Sequence, residues 1–405
     1  MDALAECKTG GTLHIPDGDF FTLPIRVGSA VNMTVRIEGS LQAFHDPTRW
    51  PSYPFGSTPA FLLIEESANV RVTGSSLRPD VSSEPGSVIG NGPAWWQLVF
   101  DAWNRGADAN FFRPVLVVFR RCEGVIVDNL RLQDSPMFNL VIDESRHALV
   151  EDVTIRAPDS SPNTDGIQTL RAYNVTIRRA DISTGDDNVA IKSGSEKILV
   201  EDCVFGRGHG VTIGSIGGRR EGTRGFVNDV TFQRIKCHRT EVGARIKTWP
   251  GSVGSVSNIT YRDITLDHVD RAVVINQFYP DHPGPHVWKP DGRPPKKESV
   301  RISDVLVERL TGTFTNFFPG FLACDSEARP CVNVTLRDVS VHPSVRNPVT
   351  DELRRWQWRH VDYSDETENV EPPLKWLPVN ETLQRMDVVY DDAAPSQSAE
   401  TIIVQ

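Results

Sequence analysis

A pattern of alternating aliphatic and other residues recurs along most of this chain. It has the form aliphatic, any, aliphatic, any, polar, aliphatic, any, aliphatic, and it starts at Val125, Ala148, Val175, Ile198, Val230, Ile259, Val305 and Val334. Successive starts lie 23, 27, 23, 32, 29, 46 and 29 residues apart. Alternation with a period of two is typical of β-strands, and strand-rich units that repeat every roughly 20–50 residues indicate a solenoid or a propeller.

The length of the unit separates these two architectures. A propeller blade of four strands needs about 40–45 residues, whereas a coil of about 25 residues with three short strands fits a parallel β-helix. We therefore predict an all-β chain folded as a parallel β-helix, whose 46-residue interval contains a long loop near residues 280–298. Because each coil of a solenoid contacts its neighbours, residues at one phase of successive coils should line up on the surface.

The two ends of the chain bound this repeat. Alternating segments also occur earlier, at 11–16, 35–41 and from Val70. Residues 92–114 interrupt the alternation and predict a short helix or a surface excursion. We predict one β-helix domain over residues 1–345, followed by a C-terminal extension over 346–405 that packs on the end of the helix and has flexible last residues.

Composition and charge exclude several classes of protein. The formal net charge of −10 argues against a nucleic-acid-binding protein. No run of about 18 apolar residues is present, so no transmembrane helix is expected. We expect a monomer that binds neither nucleic acid nor a membrane.

The cysteines indicate one disulfide and no metal site. None of the six cysteines belongs to a Cys-x-x-Cys pair, which makes a metal centre unexpected. Cys324 and Cys331 flank a short loop, and we predict a disulfide between them. The alternative is two unpaired cysteines, one on each side of that loop.

Five Asn-x-Ser/Thr sequons suggest a secreted glycoprotein. They lie at Asn32, Asn174, Asn258, Asn333 and Asn380. Three of them begin repeats, where a turn-favouring Asn followed by a strand-favouring Thr would arise in any case, so this alternative stays open. No signal peptide precedes Asp2, so we expect either that the N-terminus is incomplete or that the start is misplaced. From the sequons we expect an extracellular protein.

Four short motifs place charged residues about one repeat apart. Asn-Thr-Asp-Gly occupies 163–166, Gly-Asp-Asp-Asn occupies 185–188, Gly-His-Gly occupies 208–210, and Arg-Ile-Lys occupies 245–247. On adjacent coils these groups can share one face. Because clustered carboxylates repel one another, one of Asp165, Asp186 and Asp187 should keep its proton to higher pH. A protonated carboxyl beside an ionised one is what glycoside hydrolysis requires.

Each of these residues also has a simpler interpretation. An Asp in a solenoid turn often caps backbone amides, and only the coincidence of three carboxylates with His209, Arg245 and Lys247 favours a site. Residues 206–247 hold nine Lys or Arg against three Asp or Glu, which suits an anionic ligand or else a solvated charged face. Arg245 and Lys247 point the same way on a strand, which suits a carboxylate ligand.

The four motifs, in this order and spacing, resemble those of the pectin-degrading glycoside hydrolases of the polygalacturonase family (glycoside hydrolase family 28). Gly214, Ser215 and the segment 91–96 also resemble family positions, and the resemblance extends from about Gly10 to Thr335. It implies a right-handed parallel β-helix that hydrolyses α-1,4-galacturonosyl linkages of pectin or polygalacturonate with inversion. The attack would be exo or endo, and no cofactor or metal would be needed.

The resemblance also implies catalytic roles. Asp186 would act as the general acid that protonates the leaving oxygen, while Asp165 and Asp187 would activate the attacking water. His209 would tune the protonation of the acid and help to hold the site together.

Further residues would bind the acidic polysaccharide. Arg245 and Lys247 would hold a galacturonate carboxylate beside the scissile bond. Tyr279 would line the substrate groove, and Asn163 would shape the first turn beside the substrate.

Three features depart from the family pattern. Asn188 stands where many members have Cys, so a disulfide common in the family cannot form from this position. Residues 167–169 follow the first motif where many members carry another Asp, which would change a subsite. The long loop near 280–298 would close one end of the groove and favour exo attack.

Other functions on the same scaffold stay open. A rhamnogalacturonan or xylogalacturonan hydrolase is the first alternative, because Arg245 and Lys247 favour galacturonate beside the cleaved bond without fixing the other sugar. A pectate lyase would use Ca²⁺ and an Arg base, and the intact Gly-His-Gly and Arg-Ile-Lys motifs speak against it. A non-catalytic polysaccharide-binding β-helix should have lost catalytic residues, and none of the core ones is lost.

Overall fold

The computed structural model describes residues 2–51, 58–74, 85–106, 113–218, 220–279, 298–345 and 354–374. Its helices are α1 (Asp2–Cys7), a 3₁₀ turn at Pro47–Arg49 and α2 (Pro93–Asn104). Helix α2 lies inside the region 92–114, where the sequence predicts a short helix or a surface excursion. No helix of the described residues is long and apolar enough to cross a membrane.

Strands make up most of the described chain. The first sixteen are β1 (Thr12–Ile15), β2 (Asp19–Thr22), β3 (Ile25–Gly28), β4 (Thr34–Ile37), β5 (Ser40–Ala43), β6 (Leu62–Glu65), β7 (Ala68–Thr73), β8 (Ser87–Ile89), β9 (Val117–Arg120), β10 (Glu123–Asp128), β11 (Arg131–Gln133), β12 (Leu140–Asp143), β13 (Arg146–Glu151), β14 (Thr154–Arg156), β15 (Ile167–Leu170) and β16 (Tyr173–Arg178). The others are β17 (Asp181–Ser183), β18 (Val189–Ile191), β19 (Ser195–Glu201), β20 (Val204–Phe205), β21 (Val211–Ile216), β22 (Arg224–His238), β23 (Val242–Thr248), β24 (Val253–Val269), β25 (Arg271–Asn276), β26 (Val300–Phe314), β27 (Gly320–Ala323), β28 (Cys331–Pro343), β29 (Gln357–Arg359), β30 (Val361–Tyr363) and β31 (Glu368–Glu371).

These strands form parallel ladders that run the length of the molecule. One sheet has 11 strands in the order β3-β6-β9-β12-β15-β18-β21-β23-β25-β27-β29, and the other strands belong to a 20-stranded sheet. The larger sheet has two ladders at its N-terminal end, which join at β22 because β22 pairs with both β19 and β20. Each coil thus adds strands to both sheets, and the predicted parallel β-helix is confirmed.

The repeat found in the sequence is the register of the larger sheet. All eight starting residues are direct partners from one coil to the next, from Val125 opposite Ala148 to Val305 opposite Val334. Spacing between starts varies from 23 to 46 residues, yet the register is kept. Insertions therefore lie in the loops between strands.

The polar position of the repeat is where the chain bends between the two ladders. The eight residues there all have φ between 48° and 57°: Asn129, Asp152, Arg179, Asp202, Arg234, Asp263, Arg309 and Asp338. This left-handed conformation is tolerated best by Asn and Asp among non-glycine residues. Side chains along a strand alternate between the interior and the outside, and one left-handed residue shifts this alternation by one position. The aliphatic residues before and after the bend therefore both face the interior.

The core lies between the sheets and is built from these aliphatic positions. In the coil that begins at Val125, the four inward side chains of Val125, Val127, Leu130 and Leu132 are at most 1% exposed. Burial of one such side chain stabilises the fold by about 1.5–3 kcal/mol. Because every coil repeats the pattern, the core is a continuous column rather than a closed centre.

The predicted disulfide between Cys324 and Cys331 is present near the C-terminal end of the repeat. Strands β29, β30 and β31 follow residue 345 and pair with β27 and β28. The predicted domain division at residue 345 stays a prediction. Residues 280–297 and 375–405, which include most of the predicted loop, Asn380 and the predicted flexible end, lie outside the described residues.

Candidate active site

Three of the predicted site residues occupy one position on successive coils. Asp165, Asp187 and His209 each stand two residues before a strand of the smaller sheet, namely β15, β18 and β21. The first residues of these strands are direct partners. Because each site residue stands two positions before one of these paired residues, the three side chains lie in one row on the same side of the β-helix.

The next strand of the sheet supplies the cations. Arg245 and Lys247 are alternate residues of β23, which pairs with β21, and both point away from the core. Tyr279 lies beside them, with its ring centroid 5.1 Å from Lys247 Nζ and 5.9 Å from Arg245 Cζ. The ring also contacts Trp249 edge-on at a centroid distance of 5.8 Å. The structure thus places Tyr279 beside the two cations, and its predicted role in lining a substrate groove stays a prediction.

Asn188 holds together the turns that carry Asp186 and His209. Its Oδ1 accepts a hydrogen bond from the Gly210 amide at 2.8 Å, and its Nδ2 donates to the Ile182 carbonyl at 3.0 Å. Gly210 itself has φ of 81° and approaches the next coil closely, so that a Cβ atom there would lie 1.8 Å from a carbonyl oxygen of β23. Where many family members carry Cys, this chain thus uses a fully buried amide.

The carboxylate of Asp186 lies among hydrogen-bond donors. Its Oδ1 is 3.0 Å from His209 Nδ1 and accepts the Asp187 amide at 2.8 Å. Its Oδ2 is 3.4 Å from Asn163 Nδ2. His209 Nδ1 also lies 3.6 Å from Glu241 Oε2, so the imidazole stands between two carboxylates.

Asp186 and His209 stabilise each other's charged form. Burial alone would raise the pKa of Asp186, but the charge and hydrogen bond of His209 outweigh burial and hold this pKa well below its ordinary value. Burial alone would lower the pKa of His209, but the charge and hydrogen bond of Asp186, followed by the charge of Glu241, raise it to about 9. His209 is therefore protonated at neutral pH.

Asp165 is the carboxyl group that keeps a proton in the free protein. It is 3% exposed, and burial followed by the charge of Asp186 raises its pKa to about 7. Gln168 Nε2 donates to its Oδ2 at 2.7 Å, and Lys192 Nζ is 3.7 Å from the same oxygen. The clustered carboxylates thus behave as the sequence predicts, although the resemblance gives the acid's role to Asp186.

Asp187 is ionised and the most deeply buried of the three. It is 1% exposed, and its Oδ2 is 3.0 Å from Lys247 Nζ. Thr212 Oγ1 donates to its Oδ1 at 2.8 Å. Burial alone would raise the pKa of Asp187, but the charge of Lys247 holds it below its ordinary value. Asp187 can therefore accept a proton from water at pH values where Asp165 is still protonated.

Several residues of the site were missed by the sequence predictions. They are Arg113, Gln168, Lys192, Thr212 and Glu241. Strand alternation was an available signal for three of these: Gln168 and Thr212 point outward on the strand next to a motif, and Lys192 continues the outward alternation directly after β18. Arg113 precedes the repeat and reaches Asn163 Oδ1 at 2.7 Å, a contact with no sequence signal.

The only residues of the described chain that group as possible metal ligands belong to this site. Atoms of Asp186, Asp187 and His209 that could bind a metal lie within 4.8 Å of one another. However, Lys247 Nζ lies 3.0 Å from Asp187 Oδ2, so this carboxylate already has a cationic partner. The arrangement is suited to holding protons.

The sequence model of glycosyl hydrolases family 28 matches residues 9–354. A polygalacturonase from Malus domestica is 29% identical over 341 residues, which cover 83% of this chain and 69% of that protein. A probable polygalacturonase from Arabidopsis thaliana is 35% identical over 256 residues, which cover 63% of this chain and 52% of that protein. The chain thus spans between about half and about two thirds of the length of these relatives.

Solved structures share the fold over about nine tenths of the chain. An endo-xylogalacturonan hydrolase from Aspergillus tubingensis matches with a TM-score of 0.75 and 20% identity, covering 91% of this chain and 92% of that chain. A polygalacturonase from Erwinia carotovora ssp. carotovora matches with a TM-score of 0.70 and 24% identity, covering 90% and 92%. At this level of identity the likeness shows the fold, a right-handed parallel β-helix.

Proposed function

The chain belongs to glycosyl hydrolases family 28, and on this premise we propose that it hydrolyses α-1,4-galacturonosyl linkages of pectin or polygalacturonate with inversion. The observation that carries the proposal is the cluster of three carboxylates, Asp165, Asp186 and Asp187, beside His209 and two cations, with the pKa of one carboxyl raised to about 7. The relatives named as polygalacturonases support the class of substrate. Exo and endo attack are both compatible with the described residues.

The acid and the base share one proton before substrate binds. Asp165 and Asp186 interact strongly, so they lose protons as a pair rather than as independent groups. In the free protein the proton is on Asp165, with a pKa of about 7. An anionic sugar brought near Asp186 adds negative charge, which raises the pKa of Asp186 and draws the proton to it.

Hydrolysis then proceeds with a balanced transfer of protons. Asp186 gives its proton to the leaving glycosidic oxygen as the bond from that oxygen to the anomeric carbon breaks. A water molecule attacks the same carbon from the opposite face, and its proton passes to Asp187 or to Asp165. Protonated His209 stays beside Asp186 and stabilises the carboxylate that has lost its proton.

The cations that would bind the sugar carboxylate already have internal partners. Arg245 Nη1 lies 3.1 Å from Glu241 Oε2, and Lys247 pairs with Asp187. Within the described residues, however, the Nε of Arg245 is buried without a hydrogen-bond partner. This N–H is a donor that a galacturonate carboxylate can satisfy, and a buried donor left unpaired costs about 1–3 kcal/mol.

The test of the proposal is release of reducing ends from polygalacturonic acid, with and without EDTA, with products separated by size. We expect saturated products whose formation resists EDTA. Unsaturated products that absorb near 235 nm would identify a lyase instead. Activity restricted to branched pectins would identify a rhamnogalacturonan or xylogalacturonan hydrolase, and no activity on any pectin would favour a binding protein.

A pair of variants links the activity to the site. Asp186→Asn should abolish hydrolysis and leave the fold intact, because the amide cannot donate the required proton. Asp229→Asn is the matched control, since Asp229 lies within β22, away from the site, and has φ of 57°, which Asn also adopts. An Asp186→Asn protein that keeps more than a few per cent of activity would remove the general acid role.

Inversion is the part of the proposal that depends most on the resemblance. Oxygen atoms of Asp186 and Asp187 lie within 4.8 Å of each other, a short distance that general spacing rules associate with retention. NMR of the first product formed decides the question, since inversion of an α linkage gives a β reducing end. An initial α anomer would make one carboxylate a nucleophile.

We also propose that the protein is an extracellular monomer. Four sequon asparagines, Asn32, Asn174, Asn258 and Asn333, have exposed side chains that a glycan can reach. The core of one chain is closed by its own two sheets, which favours a monomer. Expression through a secretory pathway should give a glycosidase-sensitive protein that elutes at the mass of one chain, and an unglycosylated or dimeric product would contradict this.

A further inference from the structure

Lys192 lies between two of the proposed catalytic carboxylates, and its role extends the proposed function. Its Nζ is 3.7 Å from Asp165 Oδ2 and 3.8 Å from Asp187 Oδ2. The same ammonium donates a hydrogen bond of 2.8 Å to the Gly214 carbonyl, which fixes its direction. The side chain is 22% exposed, so it is largely withdrawn from water.

The register of the smaller sheet explains why Lys192 reaches the site. Lys192 directly follows Ile191, whose partner on β21 is Ile213, and Gly214 directly follows Ile213. Gly214 in turn is the partner of Lys247. Lys192 and Lys247 thus occupy the same place two strands apart, with Gly214 between them. The Gly214 carbonyl accepts the hydrogen bond of Lys192, and a Cβ atom on Gly214 would lie 3.0 Å from Lys247 Cγ.

We propose that Lys192 is a positioning residue that directs the shared proton onto Asp186 by stabilising the ionised forms of Asp165 and Asp187. Lys247 cannot replace it, because among the described residues Lys192 is the one cation within 4.0 Å of a carboxylate oxygen of Asp165. Without this charge, the proton would stay on Asp165. The productive arrangement, with Asp186 protonated and Asp165 ionised, would then become rarer.

Other charged groups around the cluster also influence the pKa values of its carboxyl groups. The groups that act on Asp165 and Asp187 are Asp186, Lys192, Arg245, Lys247 and Arg113. His209 acts mainly on Asp186, with Glu241 behind it. Lys192 lowers the pKa of both Asp165 and Asp187, whereas Asp186 raises both. Removing Lys192 therefore removes a positive charge that favours the ionised forms of Asp165 and Asp187.

The test compares Lys192→Met, Lys192→Gln and Lys192→Arg with the wild type. Lys192→Gln removes the charge but keeps a donor for the Gly214 carbonyl, so it serves if Lys192→Met fails to fold. Lys197→Met is the matched control, because Lys197 is an exposed lysine of the next strand that lies over the ring of Tyr173. Two quantities are measured: the titration of the Asp165 carboxyl by ¹³C NMR, assigned with Asp165→Asn, and the pH profile of kcat/KM on polygalacturonate.

We expect the neutral variants to move the Asp165 titration upward by about one pH unit or more, because an opposite charge at this distance shifts a carboxyl by about 1–3 units. The plateau of kcat/KM should fall about tenfold while its alkaline limb moves to higher pH. Lys192→Arg should restore much of both. A lower plateau without a shifted limb would indicate a structural role only.

An Asp165 titration that is the same in Lys192→Gln and Lys197→Met would overturn the inference. The NMR measurement needs no substrate, so the inference and the proposed function fail separately. If the wild type cleaves no pectin but the titration moves, the charge relation stands and the proposed function is wrong. If the wild type cleaves pectin and the titration does not move, only the role of Lys192 is wrong.

Discussion

Three aspartates of this site show that environment decides what a carboxyl group does. Burial raises the pKa of Asp165 to about 7. Asp186 is partly exposed, and His209 holds its pKa below the ordinary value against the opposing effect of burial. Asp187 is buried, and Lys247 lowers its pKa in the same way. Of three identical side chains, Asp165 therefore holds a proton while the other two are ionised. We expect the negative charge of a bound substrate to move this proton to Asp186.

This division predicts the pH dependence of the reaction. The shared proton is needed in the productive complex and leaves with a pKa of about 7, a raised value, so it is present below this pH and lost above it. We therefore expect kcat/KM to fall about tenfold per pH unit above about pH 7. Initial rates at low substrate concentration from about pH 4 to 9 give the profile. A profile that is flat between about pH 6 and 9 would contradict the shared proton.

Arg245 offers a cleaner test of carboxylate binding than Lys247. Removing Lys247 leaves the buried Asp187 without its partner, a change that costs about 3–5 kcal/mol of stability and obscures any effect on KM. Arg245→Lys keeps the charge and loses the planar fork that matches a carboxylate. We expect KM to rise about tenfold with a smaller change in kcat, whereas Arg224→Lys, on an exposed part of β22, should leave KM unchanged. Equal kinetics for both variants would mean that the sugar carboxylate binds elsewhere.

At the level of elements, the turns that present the proposed catalytic groups depend on side-chain hydrogen bonds. The Asn188 amide ties the turn before β18 to the turn before β21 through Gly210 and two carbonyl groups. We expect Asn188→Ala to lower the free energy of unfolding by about 2–4 kcal/mol, because it leaves buried polar groups unpaired.

Activity should respond to the same change. His209 would lose its fixed position, so kcat should fall in Asn188→Ala while the secondary structure stays the same. Unfolding in urea and kcat measured on the same preparations check this, with Asn228→Ala on β22 as the control. A variant with wild-type stability would show that the backbone of these turns holds itself.

Charges alternate along the bends between the two ladders of the larger sheet. In this series of bend residues, Arg179 pairs with Asp152 at 2.8 Å, Arg234 with Asp202 at 2.7 Å, and Arg309 pairs with Asp263. The neighbouring Arg lowers the pKa of each of these aspartates, so the stabilisation they give is present above the carboxyl pKa of the unfolded chain and is lost as pH falls through the folded value.

Reversing one charge tests whether this series of ion pairs stabilises the fold. Asp202→Lys places a cation between Arg179 and Arg234, and we expect a lower Tm in dilute buffer. The loss should largely disappear in 1 M salt, where the Debye length is about 3 Å. Asp202→Asn serves as the control, because Asn tolerates the left-handed backbone equally well. The same loss of Tm at both salt concentrations would assign the effect to backbone geometry instead of charge.

At the scale of the whole molecule, the core column reaches directly under the site. Tyr261 is 1% exposed, stacks on Phe232 at a centroid distance of 4.9 Å, and donates a hydrogen bond of 2.9 Å to the Arg245 carbonyl. The interior of one coil thus supports β23, the strand that carries the residues proposed to bind the sugar carboxylate. Coils contact mainly their neighbours, so stability is expected to spread along the column.

Tyr261→Phe isolates this support. It keeps the packed ring and removes only the hydroxyl, so we expect a loss of about 0.5–1.5 kcal/mol in the free energy of unfolding and little change in kcat. Urea titration of the variant, beside Tyr173→Phe at a surface position, gives the difference. A large loss of kcat with unchanged stability would instead make Tyr261 part of the site.

The sequence by itself determined the fold and the membership of the site. Strand alternation fixes which side chains face inward, and equal alternation in eight units fixes a register that the structure keeps despite loops of different length. The four motifs stand at defined places in those units, so Asp165, Asp186, Asp187, His209, Arg245 and Lys247 are brought together. Residues outside the motifs were harder to assign: alternation indicates only that Lys192 and Gln168 point outward, and nothing in the sequence indicates that Arg113 reaches Asn163.

The tertiary structure alone decided where the protons are. A pKa depends on burial and on charges that lie close in space, and here those charges come from distant positions: Lys247 lies 60 residues after the Asp187 that it neutralises. Alternation predicts that Lys192 points outward, but not that its Nζ lies 3.7 Å from Asp165 Oδ2 and 3.8 Å from Asp187 Oδ2. Because a local pattern carries no information on distances across coils, the charge balance of the site follows only from the folded chain.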